Sequence, residues 1–498
     1  MHKILLLATC LSSIMAKAQF TGIGTNNPTH TLHVSASSQP LRLEGVQNGA
    51  AADSVLTISA QGVVGKRSVS SVTGSAWLLS GNTINSNNQF LGTTDNNPLL
   101  LKTNNQSSGI LDPVATRRNN AWGFGTFPVS ISGTGNNAFG YAVLNSLGTG
   151  SLNIAIGDSA ANNISSGNGN VAIGANALQL ATTATANLAL GTNALKNALT
   201  SENIAIGAQA AGSLATGANN LAIGVNALQA NRSANTMLAI GNNALQQLTQ
   251  GLENLVIGYN AASTLTNANY NVIVGNYAYS SVSNTSNNTI VGHNAGLAYS
   301  GSGNNNTFLG YQTGFTQTGG NGNTYIGANT DVAGNSSVTN AAALGQSVQI
   351  TASNQVRIGN ANVTSIGGQV GWTTFSDARL KTGILQDVPG LAFINLLRPV
   401  TYLYDNAAME KITGKAVPPS SESNPIRFTG LLAQEVEAAA RSLGYAFSGV
   451  DVPGNAHTPY GLRYSEFVMP LIKAVQEMKL LIEQQQAEIE SLKKKINR

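Results

Sequence analysis

Near the C-terminus, six consecutive residues place a nucleophile close to a base: Ser376, Asp377, Ala378, Arg379, Leu380 and Lys381. The Ser376 hydroxyl and the Lys381 amine stand five positions apart, with a carboxylate and a guanidinium between them. A buried lysine that has lost its proton can activate a serine hydroxyl, which then attacks an acyl carbon. Serine and lysine are common, so this spacing alone is a weak signal. The same hexapeptide could equally cap a helix and pack.

Its surroundings carry more information. From Thr373 onward the composition changes, and residues 373–498 hold 27 of the 46 Asp, Glu, Lys and Arg residues. Leu391, Ile394 and Leu397 have helical spacing, and Leu431 to Ala438 is rich in strong helix formers, with Glu435 read as a structural member of that helix. Further on, Leu471, Val475, Met478, Ile482, Gln485, Ile489, Leu492 and Ile496 advance by alternating steps of four and three, the seam of a coiled coil over 471–497. Val475, Ile482 and Ile489 at a with Leu492 at d lean toward two strands by the parallel-coil rule, while Gln485 interrupts the d layer.

In order along the chain come Ser376 to Lys381, Ile384, then Ile394-Asn395-Leu396-Leu397-Arg398-Pro399-Val400-Thr401-Tyr402, then Gly430-Leu431-Leu432-Ala433-Gln434-Glu435-Val436. Tyr464-Ser465-Glu466-Phe467 and Pro470 to Glu477 complete the series. Together these blocks resemble the intramolecular chaperone domain of phage endosialidases and related tail fibres. The resemblance implies a domain that directs trimerisation and then cuts itself off just before the motif serine. It implies Ser376 as nucleophile on the Phe375 carbonyl, Lys381 as general base, and Asp377 and Arg379 as supports of the loop. Cleavage between Phe375 and Ser376 would release the last 123 residues, leaving the fibre kinetically trapped once the element that guided its assembly is gone.

What such a domain would assemble is written in the glycines. Gly140, Gly157, Gly174, Gly191, Gly207, Gly224, Gly241, Gly258, Gly275, Gly292, Gly310, Gly327 and Gly345 recur every 17 residues, give or take one, and Gly359 closes the series. An apolar residue precedes every one. The position two before is Ala from Ala138 to Ala239, then Val256, Ile273, Ile290, Phe308 and Tyr325; four before, Asn stands in eleven of fourteen repeats. In Asn153-Ile154-Ala155-Ile156-Gly157 the two Ile share one strand face and Ala155 points to the other. One face is bulky and one small, and the small Ala column is expected to lie outside, packed against another chain. Asn is expected to bond neighbouring backbone or the Asn of the next coil, forming a ladder. Coils about 4.8 Å apart would make a rod on the order of 65 Å long.

The pattern N-x-A-I-G-x-x-A, at Asn153 to Ala160, Asn170 to Ala177 and Asn220 to Ala227, resembles the head repeats of trimeric autotransporter adhesins. That resemblance covers roughly 136–360 and implies three chains wound into a parallel β-roll or interwoven β-prism. It departs from those adhesins in lacking their membrane β-barrel anchor. The expected fold is therefore mainly β, an elongated trimeric solenoid with a C-terminal α+β chaperone domain and a coiled-coil tail. The expected divisions are a leader over 1–18, a β-rich stalk over 19–135, repeats over 136–372 and the chaperone over 373–498.

The leader reading rests on Lys3, the apolar run Ile4 to Met15 and the small-residue site Ala16-Lys17-Ala18. It makes the product secreted or displayed at the cell surface. A lipobox at Leu7-Ala8-Thr9-Cys10 is the weaker alternative, and Cys10 is the only cysteine. Phe20 to Thr25, Pro28 and Leu32-His33-Val34 look like the opening of exported fibre proteins. Trp77 to Leu79, Phe90 to Asn96 and Leu99 to Leu101 read as short strands between turns.

Composition excludes several functions. A formal charge of +4 without a basic stripe argues against nucleic acid, and no later apolar stretch reaches 18 residues. His30, His33, His293 and His457 form no metal-ligand pattern, and no cofactor is expected. A tailspike-like protein that binds or degrades polysaccharide is the alternative reading. Hydrolysis would need two carboxylates about 5 to 9.5 Å apart, whereas Glu202 and Glu253 share a phase three coils apart, roughly 14 Å by strand spacing. The expected partners are two further copies of the chain, with glycans or proteins of a host or surface as candidate ligands.

Overall fold

The computed structural model describes the backbone of residues 21–23, 32–34, 54–58 and 64–68, then residues 91–497 apart from 115, 129–130, 335, 414–426 and 457. The leader, Trp77 to Leu79, Phe90, His30 and His457 lie outside the described residues. The chain divides into two compact units, Met1–Gly92 and Thr93–Arg498. In the first, Thr21–Ile23 pairs parallel with Leu32–Val34, and Ser54–Ile58 forms an antiparallel hairpin with Val64–Ser68.

The second unit is dominated by a β-solenoid. Each coil contributes one three-residue strand to a main ladder whose parallel pairing runs without a break from Asn120–Trp122 to Val356–Ile358. Some coils add a second short parallel strand, as at Gln250–Leu252, Asn267–Asn269 and Asn284–Ser286. Register is strict: Ala155 sits opposite Ala172, and Ala172 opposite Ala189. At the N-terminal end the ladder is closed by the antiparallel strands Leu99–Thr103 and Gln106–Leu111, the latter pairing with Asn120–Trp122. Residues 91–97 form bends rather than the strand expected from Phe90 to Asn96.

One expectation is reversed. The Ala column lies inside the coil, not outside: Ala155, Ala172, Ala189, Ala205 and Ala222 are all 0% exposed. The bulky column faces out, with Ile154 at 40% and Ile156 at 41%. The cause is the narrow interior. Turn residues such as Leu144, Leu178, Leu195, Leu228 and Leu245 point inward and are fully buried, which leaves room for only a methyl from the strand opposite. Where the strand residue grows, the turn shrinks. Phe308 is accommodated by Gly314, where a Cβ would meet its ring at 2.8 Å. In the turn column itself, Gly296 makes room for the ring of the turn residue Tyr279, which a Cβ there would meet at 2.6 Å. Tyr279, Tyr299, Phe308 and Tyr325 then stack along the axis with ring centroids 5.1–6.2 Å apart.

The asparagine ladder forms as expected. Asn170 donates from both its backbone N–H and its Nδ2 to Asn153 Oδ1, and Nδ2 also reaches the Ala184 carbonyl at 2.8 Å. Asn187 repeats the arrangement on Asn170. Each amide in this run is satisfied on both sides, as a buried polar side chain must be. Met237 interrupts the ladder, and its Sδ accepts from Asn254 N and Nδ2. The left-handed backbone positions belong to other residues, among them Asn176, Asn193 and Asn226 two places after the glycine. The glycines themselves stack on one another. A Cβ on Gly224 would stand 2.5 Å from the carbonyl carbon and oxygen of Gly241 in the next coil, so no larger residue fits.

Beyond the solenoid, residues 361–387 are exposed throughout. A small α+β module follows: α1 (Leu391–Ile394), the antiparallel pair Val400–Tyr402 and Phe428–Gly430, α2 (Asn406–Thr413), α3 (Ala433–Ser442), the pair Val450–Asp451 and Gly461–Leu462, and α4 (Val468–Ile496). Its core gathers Phe393, Val436, Ala439, Ala440 and Phe467, with Tyr445 and Phe447 packed edge-on or tilted against Phe393. In α4 only Pro470 and Ala474 are buried. Leu471, Val475, Met478, Ile482, Ile489, Leu492 and Ile496 are all exposed.

Candidate cleavage site

The hexapeptide forms a tight turn held by its own charges. Asp377 is the N-cap of a single 3-10 turn, Ala378–Leu380, and its Oδ1 accepts the Arg379 backbone N–H at 2.8 Å. The Arg379 guanidinium folds back onto the same carboxylate, Nε at 3.0 Å and Nη2 at 2.6 Å from Oδ2. Side-chain and backbone hydrogen bonds from Arg379 hold the Asp377 carboxyl below its ordinary pKa, and the same pairing raises that of Arg379. The Lys381 N–H closes the turn on the Ala378 carbonyl at 3.1 Å.

This turn brings together the two residues singled out for chemistry. Lys381 Nζ donates to Ser376 Oγ at 2.8 Å, within the reach required of a base and nucleophile. Phe375 projects into solvent at 92% exposure. All four motif residues named from the sequence therefore cooperate in one local arrangement. The turn is self-sufficient, and none of the described residues covers it.

Glu435 lies elsewhere and is engaged elsewhere. Its carboxylate pairs with Arg398, Nε to Oε2 at 3.2 Å, tying α3 to the segment after α1. Two further polar contacts set the module's shape and carry no local sequence signal. Glu477 of α4 accepts the Leu391 N–H at 2.7 Å, satisfying the start of α1 from 86 residues away. The Tyr464 hydroxyl accepts the Leu431 N–H at 2.9 Å. In the solenoid, Glu202 and Glu253 are exposed at left-handed turn positions.

Residues 376–445 match the family model described as the chaperone of endosialidase. The match begins at Ser376 itself, and the β-solenoid precedes it. No curated protein and no solved structure matches the chain.

Proposed function

We propose that this chain is an exported fibre protein that assembles as a homotrimer, guided by a C-terminal chaperone module that severs its own covalent link by cutting between Phe375 and Ser376. The observation that carries the assembly reading is the outward column of the solenoid. On the outward strand face Phe139, Ile154, Ile156 and Ile173 are exposed, the same position is half-exposed from Leu190 to Val291, and Leu309, Ile326 and Leu344 are exposed again. A contiguous apolar stripe of that length on a single chain marks an association surface. Covering it is worth roughly 1 kcal/mol for each half-exposed aliphatic side chain. The seam of α4 is a second apolar face in need of copies of itself. The family match to a chaperone of endosialidase supports the same assignment, and the leader composition supports export.

The cut follows from the Ser376–Lys381 pair. Lys381 takes the hydroxyl proton as Ser376 Oγ adds to the Phe375 carbonyl carbon. The Phe375–Ser376 C–N bond then breaks, and the Ser376 nitrogen takes up a proton, leaving Phe375 as an ester on Oγ. Water hydrolyses that ester to the Phe375 carboxylate and the free Ser376 hydroxyl. A lysine serves as base only once desolvated, so assembly of three modules around the loop is the step that switches the reaction on. Expression of the mature chain tests the whole reading. Sedimentation should give a trimer, and a denaturing gel should give a fragment whose first residue is Ser376. A stable folded monomer would remove the assembly claim, and one intact band would remove the cut.

A further inference from the structure

The two ends of the solenoid are finished differently. The N-terminal end is covered by the hairpin of Leu99–Thr103 and Gln106–Leu111. The last strand, Val356–Ile358, pairs with Ala342–Leu344 on one side only, among the described residues. A stack of coils needs a polar terminus to cover its open core. Here the inward position of the final strand, held by Ala or a larger apolar residue in earlier coils, is Arg357. Its Nη2 donates to Thr351 Oγ1 at 3.3 Å, while its Nε is buried without a hydrogen-bond partner. Burial lowers the Arg357 pKa, and the field of Asp451 acts in the opposite sense.

Asp451 belongs to the C-terminal module, where Arg463 Nε reaches its Oδ2 at 3.3 Å. A hydrogen bond joins the same two parts. The Thr458 hydroxyl lies 3.2 Å from the carbonyl oxygen of Thr351 and 2.9 Å from Asn455 Oδ1, and it shares its proton between them. Thr351 is buried and Thr458 half-buried. The two threonines are 107 residues apart, and the exposed stretch 361–387 between them makes the covalent connection. The module thus touches the rod at a point separate from the tether that contains the Phe375–Ser376 bond.

We propose that the module's residues 451–456 and 458–460 are the end cap of the solenoid, docking on Thr351 and Arg357 of the last coil, and that they hold the module on the rod after the tether is broken. Retention after self-cleavage rests on the proposed cut; the cap does not. The segment can dock only on a coil whose Thr351 carbonyl and Arg357 are in place, so the same surface distinguishes a finished rod end from an unfinished one.

The test cuts the tether independently of self-cleavage. The mature chain carrying Ser376→Ala receives an N-terminal affinity tag and a site-specific protease sequence within the exposed residues 364–371. After digestion, the denaturing gel shows two pieces, and native capture through the tag is expected to retain both. Thr458→Val combined with Asp451→Ala should speed release of the module at least tenfold, and so should Arg357→Leu from the rod side. The leucine restores an apolar inner residue like those of earlier coils, so this variant keeps a folded rod even if the module-side pair does not fold. A module that leaves the parent rod on digestion overturns the proposal, as does firm retention in Arg357→Leu. An intact wild-type chain beside a retained module in the digested variant would remove the self-cut and leave the cap standing.

Discussion

Lys381 Nζ and Ser376 Oγ stand 2.8 Å apart in a turn that none of the other described residues covers. The contact supplies proximity and leaves water around both groups. Ser376→Ala and Lys381→Ala should each abolish the fragment beginning at Ser376 on a timed denaturing gel. Arg379→Ala should slow its appearance by about tenfold by loosening the turn. An unchanged rate in Lys381→Ala would remove the dyad.

The outward column predicts a coupling between assembly and cutting. Ile206→Asp with Ile240→Asp places two charges on the exposed side of the strands and leaves the buried Ala column untouched. Sedimentation should show the trimer dissociating at concentrations at least tenfold higher than for the parent, with circular dichroism of the coil preserved. The cut should slow with it. Loss of the coil signal instead would show that this face supports the fold of the single chain.

The asparagine ladder predicts a graded penalty. Asn170→Ala strands the backbone N–H of Asn187 and takes one of two acceptors from its Nδ2, which keeps the Thr200 carbonyl. It should lower stability by roughly 1–3 kcal/mol, the cost of one buried unsatisfied group. Asn170→Met should cost less, because Met237 already shows a sulfur accepting from the next rung. Denaturant midpoints would check the order. Gly224→Ala should be worse than either, on the order of 4 kcal/mol or more, because its Cβ has no space against Gly241.

Alkaline pH should act through the stacked phenols. Burial pushes the Tyr299 hydroxyl up to about 12 and raises those of Tyr279 and Tyr325 as well. An unfolded tyrosine ionises near pH 10, so the contribution is fully present below that pH and is lost as pH rises from about 10 through the raised folded values. Tyrosinate absorbance should therefore appear in two stages, exposed rings first, with the buried set ionising alongside loss of the solenoid signal. Ionisation of all tyrosines near pH 10 with the coil intact would contradict the packing.

At low pH the sign reverses for Asp377, whose carboxyl is depressed by its bonds from Arg379. The order it gives the turn is complete above the unfolded value near 4 and fades as pH falls through its lower folded value. The Arg379 Nε–H resonance, followed by NMR, should remain protected through pH 4 and broaden below it.

The glycine period and the asparagine column were legible because each repeats at one phase of the coil, and stacking turns a phase into a contact. The motif turn was legible because Asp377 and Arg379 bond within two residues. Which strand face turns inward was not. Ala155 and Ile156 are both apolar, and alternation assigns them opposite faces without saying which one meets the axis. The answer depended on Leu178 and its equivalents filling the interior from the turn, at left-handed backbone angles that leucine adopts only under tertiary constraint. Contacts such as Glu477 to Leu391 and Thr458 to Thr351 join residues 86 and 107 positions apart, and no local pattern announces them.

Arg357 also bears on the fate of a finished fibre. A bare terminal strand invites another chain to extend it, and a charge turned toward the axis of the last coil is one way to discourage that addition. With the opposite terminus covered by its own hairpin, both ends of the coil stack disfavour head-to-tail joining of rods. Their length is then written once, in the number of coils the chain encodes.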